Sequence, residues 1–134
     1  MDNCEISLNL LEDLANAQNV FETLMHNNNI KDEICKTIHL VIDEVCVNIF
    51  TYNDFVGIKL DILVNINETE IRVLFVDNGR QFNPLEYDAS KQVKLPVEER
   101  DIGGLGIYLV KYFADELEYE YSNNKNQFIF IKKT

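Results

Sequence analysis

Glu44 and Asn48 stand four residues apart in the run DEVCVN. On a helix that spacing puts both side chains on one face, one turn apart. Their neighbours Val41, Val45 and Ile49 set the pair at the edge of an apolar stripe. There a carboxylate and a carboxamide are costly unless paired or wetted. The carboxamide oxygen is a hard donor suited to Mg²⁺. The carboxylate suits general-base work on a water or a hydroxyl. A surface glutamate followed by a back-bonding asparagine would carry the same letters. Further along, Asp77–Asn78–Gly79 closes the apolar run IRVLFV. A carboxylate at a strand end can accept from an exocyclic amine such as adenine N6, and a glycine two residues on lets backbone lie close to a flat ring. Asn-Gly is equally a turn dipeptide. Ile102–Gly103–Gly104–Leu105–Gly106 then enters a helical pattern. Glycines at a helix start leave N–H groups open toward one point, and the helix dipole adds positive potential there, which makes a phosphate cradle. A glycine-rich loop that only turns the chain is the plainer alternative. The preceding stretch carries Lys91, Lys94 and Arg100. Arg100 is nearest the glycines and could hold a phosphate bidentately.

The elements that must position these residues follow from periodicity. Cys4 to Leu10 alternates Ile6, Leu8 and Leu10 with polar residues and predicts a strand. Leu11 to His26 changes period and predicts a helix with Leu11, Leu14, Ala15, Val20, Phe21 and Leu24 on one side. Asn27–Asn28–Asn29 is a turn, since asparagine tolerates left-handed backbone. Lys31 to about Tyr52 predicts a second helix, striped by Ile34, Ile38, Val41, Ile42 and Val45. Ile58 to Ile66 alternates as a strand, Asn67–Glu68–Thr69 turns, and Ile71 to Val76 reads as a central strand covered on both faces. Residues 80–102 are polar and irregular, a length that in a compact domain signals function or mobility. After the glycine-led helix, Glu118–Ser122 and Gln127–Lys132 are strands around the turn Asn123–Asn124–Lys125–Asn126. Tyr119 and Tyr121 share a face of the first of these strands and read as packing residues. The order predicts one α+β domain over residues 1–134: a two-layer sandwich with helices on one face of a mixed, mostly antiparallel sheet. It is not a Rossmann unit, because the glycines do not follow the first strand, and no GK[ST] marks a P-loop.

Composition narrows the partners. The net charge is −11, with 12 basic residues against 23 acidic ones. That balance argues against nucleic acid and against anionic membranes, and it suits a basic protein partner or plain solubility. The three cysteines, Cys4, Cys35 and Cys46, are odd in number and lack CxxC spacing. They read as free thiols in a reducing compartment. The leading MDNCEISLNL lacks a basic, apolar export signal, so a cytoplasmic location is expected. His26 and His39 have no metal-like partners in the sequence.

The order of the motifs says more than any one of them. DEVCVN (Asp43–Asn48), VDNGRQFNP (Val76–Pro84) and GGLGIYLVKYFADELEYE (Gly103–Glu120), followed by a hairpin, resemble the GHKL (Bergerat-fold) ATPase superfamily. Within it they look most like the stand-alone anti-sigma-factor serine/threonine kinases of bacteria. The resemblance implies the Bergerat fold, ATP and Mg²⁺. It implies Glu44 as general base, Asn48 as Mg²⁺ ligand and Asp77 as the adenine-reading carboxylate with Gly79 against the ring. Gly103, Gly104 and Gly106, with Leu105 between them, match the phosphate-binding run, and Arg100 falls near the subgroup's lid arginine. The implied partner is a sigma factor or a serine-bearing anti-anti-sigma-type phosphoacceptor, and the implied assembly is a homodimer. Three positions depart from the pattern: Gln81 replaces the second glycine of Asp-x-Gly-x-Gly, and Tyr52 and Asn53 replace the His and small residue after the asparagine helix. The expected activity is transfer of phosphate from Mg-ATP to a partner's hydroxyl. The competing expectations are a nucleotide-dependent binding switch without chemistry, and a hydrolase piece of a larger assembly.

Overall fold

The computed structural model describes residues 2–53, 55–86 and 104–134. Strand β1 (Asp2–Leu8) leads through a 3-10 turn, Leu11–Asp13, into helix α1 (Leu14–Asn27) and then α2 (Asp32–Tyr52). Strands β2 (Leu60–Ile66) and β3 (Glu70–Asp77) follow, then helix α3 (Gly104–Phe113) and strands β4 (Glu116–Ser122) and β5 (Lys125–Lys133). The strands form one sheet in the order β1-β2-β3-β5-β4. Each neighbouring pair is antiparallel, so the sheet expected to be mostly antiparallel is antiparallel throughout the described residues.

Alternation along the strands builds the core. One face presents Ile62, Val64, Val73, Phe75, Phe128 and Phe130, all buried. Against it lie Phe21 and Met25 of α1, Ile38, Val41 and Ile42 of α2, and Val110 of α3. Phe75 and Phe128 face each other across β3 and β5 with ring centroids 6.2 Å apart. Such a pair adds about 0.5–1.5 kcal/mol beyond the area it buries. Among the described residues, helices cover only this face. The run IRVLFV is therefore not sandwiched, as its letters suggest: Arg72 is exposed and Leu74 and Val76 are half-buried. Their apolar neighbours come from within the sheet, since Leu74 is flanked in register by Leu63 and Ile129. The buried side of α1 is also rotated from its expected position. Ala17, Phe21, Leu24 and Met25 are inside, while Leu11, Ala15 and Val20 face out.

The turns obey local chemistry. Asn28 Nδ2 donates to the Leu24 carbonyl (2.8 Å) at the end of α1, and Asn29 takes φ 55°. Asn67 Oδ1 accepts from the Thr69 and Glu70 amides, an Asx turn joining β2 to β3. Asn123 and Asn124 both have positive φ, as a two-residue type I′ hairpin requires. Asn126 is not part of that turn. It belongs to β5, buried, in register with Asp77.

Candidate functional site

Helix α2 organises the site. It starts at Asp32 with acidic residues in its first turn, which complement the helix dipole. Its apolar stripe, from Ile34 to Val45, seats it on the sheet. Glu44 is half-buried and Asn48, one turn on, is buried on the same side. From Glu44 to Asn53, the residue after its last turn, the helix advances about 13 Å at 1.5 Å per residue.

At one end of this span is α3. Its first turn begins at Gly104 and continues through Leu105 and Gly106. A Cβ added to Gly106 would collide with Glu44 Oε2 and meet its Cδ at 3.1 Å. The glutamate carboxylate thus lies directly on bare backbone in the first turn of α3, where the dipole favours an anion. Arg100 and Gly103, with Lys91 and Lys94, lie outside the described residues.

At the other end is the carboxyl terminus of β3. Asp77 is buried at 6% exposure between Leu60 and Asn126. Its Oδ1 accepts from the Gly79 amide (2.8 Å) and from Asn126 Nδ2 (3.0 Å). Among the described residues no donor reaches Oδ2. Burial pushes the Asp77 carboxyl above the ordinary carboxylate range, and the bonds from Asn126 and Gly79 pull it partly back. Gly79 is buried against Asn53: a Cβ there would stand 2.6 Å from the Asn53 amide atoms. Asn78 is no hairpin residue. Its side chain receives the Lys59 amide (2.8 Å) and donates to the Gly57 carbonyl (2.9 Å), tying the start of β2 to the end of β3.

Between the two ends sits Asn48, a carboxamide with 9% exposure. Among the described residues neither it nor Glu44 has a hydrogen-bond or ion-pair partner. Buried polar side chains are satisfied in the great majority of cases, so an unsatisfied one calls for a reason. The structure thus joins Glu44 to the glycine start of α3, joins Asp77 to Gly79, and strings both along α2. It also brings in two residues the sequence reading did not assign to the site. Asn53 was noted only as a departure, and Asn126 was placed in a turn. The one signal for Asn126 was β-strand alternation, which puts it on the inner face with Phe128 and Phe130. Tyr119 packs against the core as expected, and its hydroxyl also donates to Asn126 Oδ1 (2.5 Å).

Such an arrangement, a two-layer α+β domain with an Asn helix, an Asp-x-Gly strand end and a glycine-led helix, defines a class. The family model of the histidine kinase-like ATPase domain matches residues 8–132, and the chain belongs to that family. Among curated proteins it is similar to the serine-protein kinase RsbW of Bacillus thuringiensis (strain Al Hakam), 33% identical over 88 residues. That match covers 59% of this chain and 52% of the relative. RsbW of Bacillus cereus (strain 03BB102) matches equally. The matched region thus spans about half the length of these relatives. Among solved structures, the nucleotide-free catalytic domain of the histidine kinase ThkA superposes with a TM-score of 0.56 at 17% identity, covering 99% of this chain and 97% of that one. At that identity the likeness shows the fold, the GHKL catalytic-domain fold that the motifs led us to expect. Among the described residues no helix is long and apolar enough to cross a membrane.

Proposed function

We propose that this domain binds Mg-ATP and transfers its γ-phosphate to a serine or threonine hydroxyl of a regulatory protein partner, of the sigma-factor or anti-anti-sigma kind. The observation that carries the reading is Asn48: a buried carboxamide without a partner among the described residues, one turn from a Glu44 that rests on the first turn of α3. Asn48 is a hard-oxygen ligand awaiting a cation. Asp77 Oδ2 is a buried acceptor awaiting a donor, which the exocyclic amine of adenine supplies, with Gly79 giving the ring close passage. The serine-protein kinase relatives support a hydroxyl acceptor.

In this reading Asp77 and Gly79 hold the base, and Gly103, Gly104 and Gly106, with the Leu105 amide, hold the phosphates. Arg100 adds a fork of donors from the lid, and Asn48 holds Mg²⁺. The cation, when bound, neutralises phosphate charge and fixes phosphate geometry. Glu44 removes the proton from the partner's hydroxyl as the oxygen–phosphorus bond forms and the bond to the β-phosphate oxygen breaks, leaving ADP. Rate enhancement comes from positioning and charge stabilisation rather than covalent chemistry. Free thiols at Cys4, Cys35 and Cys46 fit a reducing, cytoplasmic setting, and a homodimer is the expected assembly.

The test is calorimetric titration with ATP, with and without Mg²⁺, followed by a labelled-phosphate assay on candidate partners. Magnesium-dependent binding with label on a partner serine or threonine is the expected outcome. Binding that alters partner affinity without labelled product would replace the kinase with a nucleotide switch, and no binding would end both readings.

A further inference from the structure

Position 81 is where the family pattern carries a glycine, and Gln81 is exposed here. No left-handed backbone demands glycine at this point: among the described residues, the non-glycine positions with positive φ are Asn29, Asn123 and Asn124. What fixes the segment instead is a pair of buried side-chain amides from distant parts of the chain. On one side, Asn53 Oδ1 accepts from the Arg80 amide (2.8 Å) while its Nδ2 donates to the Ile49 carbonyl (2.8 Å). On the other, Asn126 Nδ2 donates to the Arg80 carbonyl (2.9 Å) and its Oδ1 accepts from the Phe82 amide (3.0 Å). The Arg80 guanidinium also donates to the Tyr52 carbonyl. The backbone is therefore held immediately before and immediately after Gln81.

Asn126 is saturated: two donations, to Asp77 and Arg80, and two acceptances, from Phe82 and Tyr119. Because it donates to Oδ1 of Asp77, it directs the other carboxylate oxygen toward whatever the site binds. We propose that Asn126 and Asn53 are positioning residues that preset the adenine end of the site. Asn126 sets the Asp77 carboxylate and both residues lock the chain around Gln81, so that recognition of a 6-amino purine is built before any nucleotide arrives. This rests on reading the site as a nucleotide site. Outer partners that orient a ligand-holding group change affinity by roughly tenfold to a hundredfold when removed. Here that loss should fall on the base and not on the phosphates, because Asn126 contacts the Asp77 end alone.

The experiment compares ATP with inosine triphosphate, which carries a 6-oxo group, on wild type, Asn126→Leu and Asn53→Ala. Wild type should prefer ATP. Asn126→Leu should lose roughly tenfold or more in ATP affinity, with inosine triphosphate little changed, so the preference collapses toward one. Asn53→Ala should narrow the preference less, since it frees the Arg80 amide and the Ile49 carbonyl but leaves both donors to Asp77 in place. Equal losses for both nucleotides would mark the amides as merely structural and overturn the proposal while leaving the nucleotide site standing. Wild type binding neither nucleotide would overturn the site itself and the proposal with it. Should Asn126→Leu not fold, exchange of the Asn126 side-chain amide in nucleotide-free wild type decides. Slow exchange is expected, and exchange at the free-solvent rate would overturn the presetting.

Discussion

The two ends of the span from Glu44 to Asn53 along α2 are finished to different degrees. At the Asp77 end the amides of Asn53, Asn126, Gly79, Arg80 and Phe82 close a network that leaves a single carboxylate oxygen without a donor among the described residues. At the Glu44 end the polar side chains are placed but have no partner among the described residues, and Asn48 is buried in that condition. The difference shows where each end gets its order. The Asp77 end takes it from the chain; on the proposed reading, the Glu44 end leaves it to be completed by a charged ligand. A ligand's binding energy is best used where the protein has not already satisfied itself.

The largest expected effect tests the unfinished end. Glu44→Ala should lower phosphate transfer by about 10²- to 10⁴-fold, the range of a lost general base, with ATP affinity nearly unchanged. Transfer at the wild-type rate would remove Glu44 from the chemistry. Next, Asn48→Leu should abolish the magnesium dependence of binding. It should also raise the melting temperature of the nucleotide-free protein, because an unsatisfied buried amide costs about 1–3 kcal/mol. Asn126→Leu, by contrast, should lower it by a similar amount, since it takes a hydrogen bond from each of four partners. Melting temperatures that fall in both variants would erase the contrast between the ends.

Asp77→Asn sharpens the comparison through pH. Burial raises the Asp77 carboxyl in the fold, so the folded chain holds that proton more readily than the unfolded chain. Its contribution is therefore most favourable at acid pH and declines as pH rises through the raised folded value. Asp77→Asn should thus be more stable than wild type at neutral pH, with the advantage fading on acidification. ATP affinity should run the other way in wild type, falling as acid protonates the acceptor, at a higher pH than for an ordinary aspartate. Denaturant melts and titrations across pH check both slopes. The smallest effect concerns Cys46, whose thiol is fully buried and pushed up to about 12. It should stay unmodified by iodoacetamide at neutral pH while the partly exposed Cys4 reacts, as mass spectrometry of the alkylated protein would show.

Much of this was legible in the sequence because it is local. The helix period from Ile34 to Val45, the strand alternation from Leu60 to Ile66 and the asparagine turns each announce themselves within a few residues. The candidate site was legible to the extent that motif and element coincide, as at Glu44–Asn48 and Asp77–Gly79. What escaped depends on distant pairing. Asn126 lies 49 residues from Asp77, and only the β3–β5 register brings them together. Asn53 acts through Arg80, 27 residues on. The expectation that IRVLFV is covered on both faces failed for a related reason. Lateral neighbours in a sheet shelter apolar residues that none of the described helices covers, and those neighbours come from other strands.

The contact between Glu44 and Gly106 has a consequence for how such a protein can change over generations. The atom nearest a new Cβ at 106 is the tip of a flexible side chain, so Gly106→Ala would displace the carboxylate rather than break the fold. The chemistry proposed for Glu44 could then vanish with every acidic and amide residue of the site unchanged in the sequence. On the proposed kinase reading, descent from enzyme to binder would then require no polar substitution at all, and a homologue with the glutamate kept and this glycine gone would be an enzyme in its letters only.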